Sequence, residues 1–574
     1  MDHPRRARMP ILKTGAHGAW HLAKSPLKCL APALRKLLSV EPWVLLLILL
    51  LAAAVRFYGL TWDHGIGAHP DERYIVDVAG RMSFPSRLNP FEAAPGYAYG
   101  HLPLYLLRLA SAVVPAIDPL FVGRALSAIL DVGTVALTFA LAKEVVDERV
   151  GLLAAALVAF SLAHVQQAHF YTVDVPLVFF TTASLLFAAR FSERGRGRDL
   201  WLAGALGGLA VGAKSTGILL GIPLMVACFW RERRPRDLLC GGLAAAAAFV
   251  VVNPFAVAYP GTFVQNLARQ SAIVRGSVDV PYTLQYHGTL AYIYPWVQQL
   301  RWGLGWLVGS CAVVGLIYEA VRAVAAESPR PGAWVLLAWV VPTFALVGGL
   351  YAKFPRYVLP ILPVLAIYAA AALAAVREKR PMLFRIASGL LVGTSLMRTA
   401  ALAGMYQTPH PWVAASEWLS AKAAPGARIA VEAWDHPLPV QGGYELLELP
   451  VFDEESDEKW EMMNGLLERA DYLVVASRRG YGALAQWSSR YPSTTEYYGR
   501  LFRGDTGFEA VACFGRFPHI GPLVLKDDPA EGLPFSLPAA CGLQAGTAIP
   551  LGRLDESFVV YDHPQVVVFE RGRD

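Results

Sequence analysis

Between Trp43 and Ala403 the chain repeatedly runs apolar for the length that a lipid bilayer demands. A hydrocarbon core about 30 Å thick needs roughly 20 apolar residues per helix. Such windows recur at 43–60, 121–142, 150–166, 174–191, 200–213, 216–230, 238–256, 301–321, 333–351, 357–376 and 383–403. They predict a polytopic α-helical membrane protein with about eleven transmembrane helices. Composition agrees, because 55% of the 574 residues are hydrophobic and only 17% are charged, where a soluble chain carries roughly 25%. The net charge of +6 sits in loop clusters, and no RNA- or DNA-binding motif accompanies it, so no nucleic-acid partner is expected.

Orientation follows from where Lys and Arg collect. The N-terminal tail carries "RRAR" and "KCLAPALRK", and later loops read "RFSERGRGR", "RERRPR" and "VREKRP". With eleven spans these all fall on one side, which is therefore the cytoplasm. The basic region before the first apolar run is too long for a signal peptide, so that run is an uncleaved helix. Residues 1–42 then form a cytoplasmic basic tail, 43–403 a membrane domain, and 61–120 its long first outer loop. Residues 404–574 form a C-terminal domain outside the membrane. Helix-like "AASEWLSAKAA" and strand-like "ARIAVEAW", "ADYLVVAS", "GFEAVACF" and "SFVVYDHPQVVVFE" give that tail an α/β or α+β character. Of the six cysteines, only Cys513 and Cys541 lie in it. They are able to pair there, although spacing leaves this open, and no Cys/His cluster suggests a finger-type zinc site.

Charges at the outer ends of the spans break the pattern. Arg56, Arg124, Lys214, Lys353 and Arg356 all sit there. A cation at membrane depth costs about 2.5–3.5 kcal/mol, so it faces a partner or a watery cavity, or it snorkels to the interface. Five on one face suit a lipid-linked phosphate. The acids Asp71 and Glu72 in "GIGAHPDERYIVDV", and Asp174 in "HFYTVDVPLVFF", share that face. A carboxylate against apolar walls is a candidate general base. The bland alternatives are a solvated loop for the first two and a helix N-cap for Asp174, whose Pro176 sits in the first turn.

Five segments in order resemble the GT-C superfamily of membrane glycosyltransferases, specifically the protein O-mannosyltransferase and aminoarabinose-transferase clan in its bacterial branch. They are "PDE" in the first outer loop, "HLPLYLLRLASAV", the Arg-led "VGRALSAILDVGTVALTFALAKEV", the Asp-led "TVDVPLVFFTTASLLFAAR" and the late "KFPRYVLPILPVLAIYAA". The resemblance implies a GT-C fold and sugar transfer, with inversion, from a polyprenyl-phosphate donor to a protein or glycolipid acceptor on the outer face of a bacterial cytoplasmic membrane. By motif position it makes Asp71 the base, with Glu72 and Asp174 in the same catalytic set. Arg124, Lys214, Lys353, Arg356 and Tyr357 would hold the lipid phosphate. The clan requires no cofactor, but Glu72 and His287 are candidate ligands for a divalent metal.

Three other motifs fail. "HPD" at 69–71 also marks cochaperones, but there it joins two polar helices of a soluble domain. "GGLAVGAKSTG" has Ala213 where a phosphate loop needs the Gly-Lys step. No Asp-x-Asp occurs anywhere, which disfavours a metal-held nucleotide-sugar donor. A secondary transporter would show internal repeats, and none is evident. An inactive scaffold of the same fold would not need the acids and bases that are present.

Overall fold

The computed structural model describes residues 40–230, 235–325, 330–439, 443–538, 541 and 546–572. The chain divides into two compact units, 1–47 and 48–574, and everything below concerns the second. Each of the ten later predicted spans corresponds to a helix or helix pair. Among the described residues seven helices are long and apolar enough to cross a membrane: Pro119–Val145, Asp174–Arg194, Pro235–Val252, Trp306–Ala325, Pro331–Gly348, Pro355–Arg377 and Pro381–Met405. An eighth span is counted if Glu148–Ala159 and Leu162–Ala168, bent by 57°, act together. The run at 200–213 falls in Gly197–Ala213, and the run at 216–230 in the shorter apolar stretch Ser215–Phe229. The expected span at 301–321 starts at Trp306, because Gln299–Gly303 form a wide helical turn of their own.

Local chemistry sets the boundaries. Asp118 accepts from the Leu120 amide at 2.8 Å and Asp147 from the Val150 amide at 2.8 Å, capping successive helices. Basic loop residues gather at one end of the bundle, where Arg194 pairs with Glu144 at 2.6 Å and Arg377 with Asp147 at 2.8 Å. Asp174 and Lys214 stand at the opposite ends of their helices.

The tail forms a mixed sheet beside a smaller one. Its strands are β1 (Arg428–Glu432), β2 (Glu445–Leu449), β3 (Tyr472–Val475), β4 (Phe508–Phe514), β5 (His519–Ile520), β6 (Leu523–Asp527), β7 (Thr547–Gly552) and β8 (Val566–Arg571). The larger sheet has the order β2-β1-β3-β8-β4 and the smaller β5-β6-β7. In the larger sheet β1 runs parallel to both β2 and β3, and β8 runs antiparallel to β3 and β4. The four strand-like runs supply β1, β3, β4 and β8, though the first half of the last run turns as a short helix, Glu556–Val559. Cys513 and Cys541 are disulfide-bonded. The tail does not stand apart: Trp62, Leu162, Trp302 and Leu402 of the membrane part share one buried cluster with Ile429, Val474 and Val568. The larger sheet's other face packs a second core around Leu473, Tyr498 and Phe569.

Glu432, at the end of β1, is buried, and the Tyr498 hydroxyl donates to it at 2.7 Å. Burial pushes its carboxyl up to about 8, against an ordinary value of 4.5. The native state therefore holds a proton that the unfolded chain loses above pH ~4.5, so this group's contribution to stability falls as pH rises from about 5 to 8. Glu432→Gln is expected to flatten that slope, as read from unfolding midpoints of the detergent-solubilised protein between pH 5 and 8.5. An unchanged slope would place the titration elsewhere.

Candidate functional site

The acidic pair lies at the start of the helix Pro70–Gly80. His69 is its N-cap, its Nδ1 accepting from the Asp71 amide at 3.1 Å, and Pro70 opens the first turn. Successive helical residues point about 100° apart, so Asp71 and Glu72 look in different directions. Glu72 faces inward. Arg124 donates to it from Nε at 2.9 Å and from Nη2 at 2.8 Å, and the Tyr171 amide adds a bond at 2.9 Å. The same guanidinium donates to both oxygens of Asp63, at 2.8 and 2.7 Å, and to the Leu60 carbonyl at 2.7 Å. Burial raises the Glu72 carboxyl despite Arg124. Burial would also raise Asp63, but the Arg124 bonds and the Gly65 and Ala68 amides hold it below its ordinary value.

Asp71 faces the other way, toward Arg356, whose Nη2 lies 3.0 Å from its Oδ2. Arg356 Nε stands 3.8 Å from Asp174 Oδ2, and neither atom has a hydrogen-bond partner. The other oxygen of Asp174 accepts from Lys214 Nζ at 2.7 Å, and that ammonium lies over the Tyr357 ring, 4.6 Å from its centre. Lys214 is brought in by a close approach: a Cβ on Gly100 would stand 1.9 Å from the Gly212 carbonyl. His69 is fully buried, and desolvation together with Arg356 keeps its imidazole well below its ordinary pKa. An imidazole accepting at Nδ1 carries its proton on Nε2, so Arg356 Nη1, 3.3 Å away, is a neighbour that gains little from staying.

Two cavities meet at Arg356. One, of about 270 Å³, is mainly apolar, walled by Leu177, Leu267, Trp339 and Leu346, with Asp174, Lys214 and Arg356 at its polar end. The other, of about 260 Å³, is lined by Asp71, Arg73, Tyr282, Trp434, Arg479 and Tyr561 among others. Tyr99, Gln270, Arg356 and Tyr357 border both.

Residues 101–259 match the family of dolichyl-phosphate-mannose-protein mannosyltransferases. The fold is similar to the archaeal oligosaccharyltransferase AglB from Archaeoglobus fulgidus, in complex with an inhibitory peptide and a dolichol-phosphate. That likeness has a TM-score of 0.52 at 17% identity and covers 80% of this chain and 72% of that one. The same archaeal enzyme tethered to an acceptor peptide gives 0.50 at 16% identity, over 92% and 88%. ArnT from Cupriavidus metallidurans, bound to undecaprenyl phosphate, gives 0.49 at 16% identity, over 78% and 95%. No curated protein matches the sequence. The family match covers less than half of the chain, and the likeness to the archaeal enzyme is one of fold.

In this chain Asp71, Asp174, Lys214, Arg356 and Tyr357 converge. Other expected site residues are engaged elsewhere. Arg124 has all five of its donors committed to Asp63, Glu72 and Leu60, which leaves none for a phosphate. Glu72, fully enclosed in the same cluster, is a tether of the loop. Lys353 donates to Thr289 at 3.1 Å and to the Tyr351 carbonyl at 3.0 Å, and lines neither cavity. His287 stacks on Trp487 with ring centres 3.7 Å apart. The expected Glu72–His287 metal pair is therefore not brought together, and among the described residues no group of three His, Cys, Asp or Glu could hold a metal ion. Arg56 pairs with Asp131 at 2.7 Å inside the bundle, and His164 bonds the other oxygen. The second cavity's wall from the tail, with Trp434, Asp435, Arg479 and Tyr561, was not anticipated. The one signal for it was "WDHP", a Trp-Asp-His-Pro run that begins on the last residue of the strand-like "ARIAVEAW".

Removing Arg124 would strand two buried carboxylates, a change that typically costs about 3–5 kcal/mol. Arg124→Ala should lower the thermal midpoint in detergent sharply, and adding Glu72→Gln should recover part of the loss. A midpoint equal to wild type would show that the cluster does not hold the loop.

Proposed function

We propose that the protein is a membrane glycosyltransferase of the GT-C superfamily that moves a sugar from a polyprenyl-phosphate carrier to an acceptor hydroxyl, with Asp71 as general base and Arg356 with Lys214 on the donor phosphate. One observation carries the reading: Arg356 separates an apolar cavity from a polar one and holds the carboxylate that opens onto the polar side. An isoprenoid chain suits the apolar cavity, and the structurally similar archaeal enzyme is in complex with a dolichol-phosphate. The site lies at the bundle end opposite the basic loops, which on the positive-inside rule is the outer face of a bacterial cytoplasmic membrane.

The chemistry follows from the positions. The donor phosphodiester carries one negative charge, and arrival beside Lys214 and Arg356 gives Arg356 Nε, now without a bond, an oxygen to bond. Arg356 then turns from Asp71 toward the phosphate, which frees the carboxylate. The acceptor oxygen attacks the anomeric carbon while Asp71 takes its proton. The bond from that carbon to the phosphate oxygen breaks, and its electron pair stays on the carrier phosphate. The second negative charge developing there is met by the two cations already in place. Attack from the Asp71 side, with departure on the Lys214 side, predicts inversion. Asp174 holds Lys214 and stands beside Arg356, so it acts by positioning both. Tyr357 lies against the Lys214 ammonium in the same cavity wall.

Asp71→Asn should reduce transfer from radiolabelled polyprenyl-phosphate-hexose by 10²–10⁴-fold, the usual worth of a positioned base. Lys214→Ala should act mainly by raising the donor KM. The assay uses membranes with a crude envelope extract as acceptor. Transfer that survives Asp71→Asn at wild-type rate removes the base assignment, and a Lys214→Ala enzyme with an unaltered donor KM removes the phosphate site.

A further inference from the structure

The second cavity carries information about the acceptor. Its wall from the tail is the loop that follows β1, and there Trp434 has a left-handed backbone with φ +66°. A bulky residue in that region is strained and persists only where the surroundings hold it. They do so here: Arg479 Nη1 donates to the Trp434 carbonyl at 3.0 Å. Asp435 accepts from the Ser477 hydroxyl at 2.6 Å, and His436 stacks on Trp412 with ring centres 4.2 Å apart. Everything around Trp434 is tied down, yet its own side is open. The residue is 60% exposed and lines the cavity, and its indole stacks on no ring among the described residues.

Charge in the cavity does not cancel. Asp71 is matched by Arg356 at 3.0 Å and Asp435 by Arg479 at 3.8 Å. Arg73 is exposed, lines the same cavity and has no ion-pair partner among the described residues. It is one unmatched cation beside a rigid, open indole and the carboxylate assigned as base.

We propose that the acceptor is an acidic saccharide, whose ring lies on Trp434 and whose carboxylate or phosphate substituent is held by Arg73. The proposal rests on the reading of Asp71 as the base of a sugar transfer. A pyranose offers one flat face of C–H groups, which an exposed indole covers, and an edge of hydroxyls for the surrounding charged groups. An extended peptide would instead need a line of backbone donors and acceptors. The described lining provides side chains of aromatic and charged residues.

The test is inhibition of transfer by the full-length enzyme in membranes, with trigalacturonate, maltotriose and a blocked Ser/Thr hexapeptide each competing against the envelope extract. Trigalacturonate should inhibit best, maltotriose weakly, and the peptide not at all. Trp434→Ala should raise the KM for the extract at least tenfold with a smaller change in kcat, and Trp434→Tyr should restore most of it, which a folding defect would not allow. Arg73→Gln should reduce trigalacturonate to the potency of maltotriose. Inhibition by the peptide, or wild-type KM in Trp434→Ala, overturns the saccharide assignment while the base reading stands, provided Asp71→Asn is dead in the same membranes. Equal potency of the two sugars on the wild type overturns the acidic part alone. Transfer that survives Asp71→Asn overturns the base reading and the proposal built on it.

Discussion

The buried guanidinium of Arg124, shared by Asp63 and Glu72, is the constraint on which the geometry of the site depends. It joins a span to both ends of the segment 60–72, and each of its donors is used. Because it grips Glu72, the rotation of the helix Pro70–Gly80 is set, and Asp71 must look about 100° away, into the cavity. The doublet is thus two different devices in adjacent positions. One carboxylate fixes the phase of the helix, and the other is presented by it. A buried cation with two carboxylates is not an efficient way to gain stability, since desolvation offsets most of the attraction. What it secures is direction, because a slip of the helix by one residue would break both Arg124 bonds to Glu72 and the one from the Tyr171 amide.

Arg356 sets the second constraint. It is bonded to Asp71 and close to Asp174, yet its Nε and one Asp174 oxygen remain without a partner. While Arg356 Nη2 lies 3.0 Å from its Oδ2, that oxygen of Asp71 is engaged and is not open to an acceptor hydroxyl. Under the proposed mechanism the donor phosphate competes for the same guanidinium, so loading the donor makes the base available. On that mechanism the ordering protects the donor from water, because Arg356 occupies the Asp71 carboxylate until the carrier phosphate has arrived.

What was legible in the sequence divides along a physical line. Helix existence was readable, since an apolar run of membrane length has few alternatives, and the basic loops separated the two ends of the bundle. The convergence of Asp71, Asp174, Lys214 and Arg356 was readable too, because each sits where a span meets that end. Helical phase was not. Glu72 and Arg124 occupy the right depth but point into the protein, and Lys353 stands only three residues from Arg356 yet reaches Thr289. Depth comes from counting residues, whereas direction comes from packing partners such as Asp63 that no local pattern marks. Tail residues were hardest of all, because Trp434 and Arg479 reach the site only through a sheet assembled from strands far apart in the chain.

That dependence runs both ways. Tyr561 of the tail packs on His69 with ring centres 4.2 Å apart, and His69 caps the helix that begins with Asp71. Gln166 of the membrane part donates to the Phe558 carbonyl at 2.8 Å and to Asp562 at 2.7 Å. A tail that only decorated the membrane domain would meet it across a polar, separable interface. Here the two share a buried apolar cluster and the buried hydrogen bonds of Gln166. The tail is therefore part of the site's construction: it keeps water from His69, so that the imidazole stays neutral and its Nδ1 stays free to accept from the Asp71 amide.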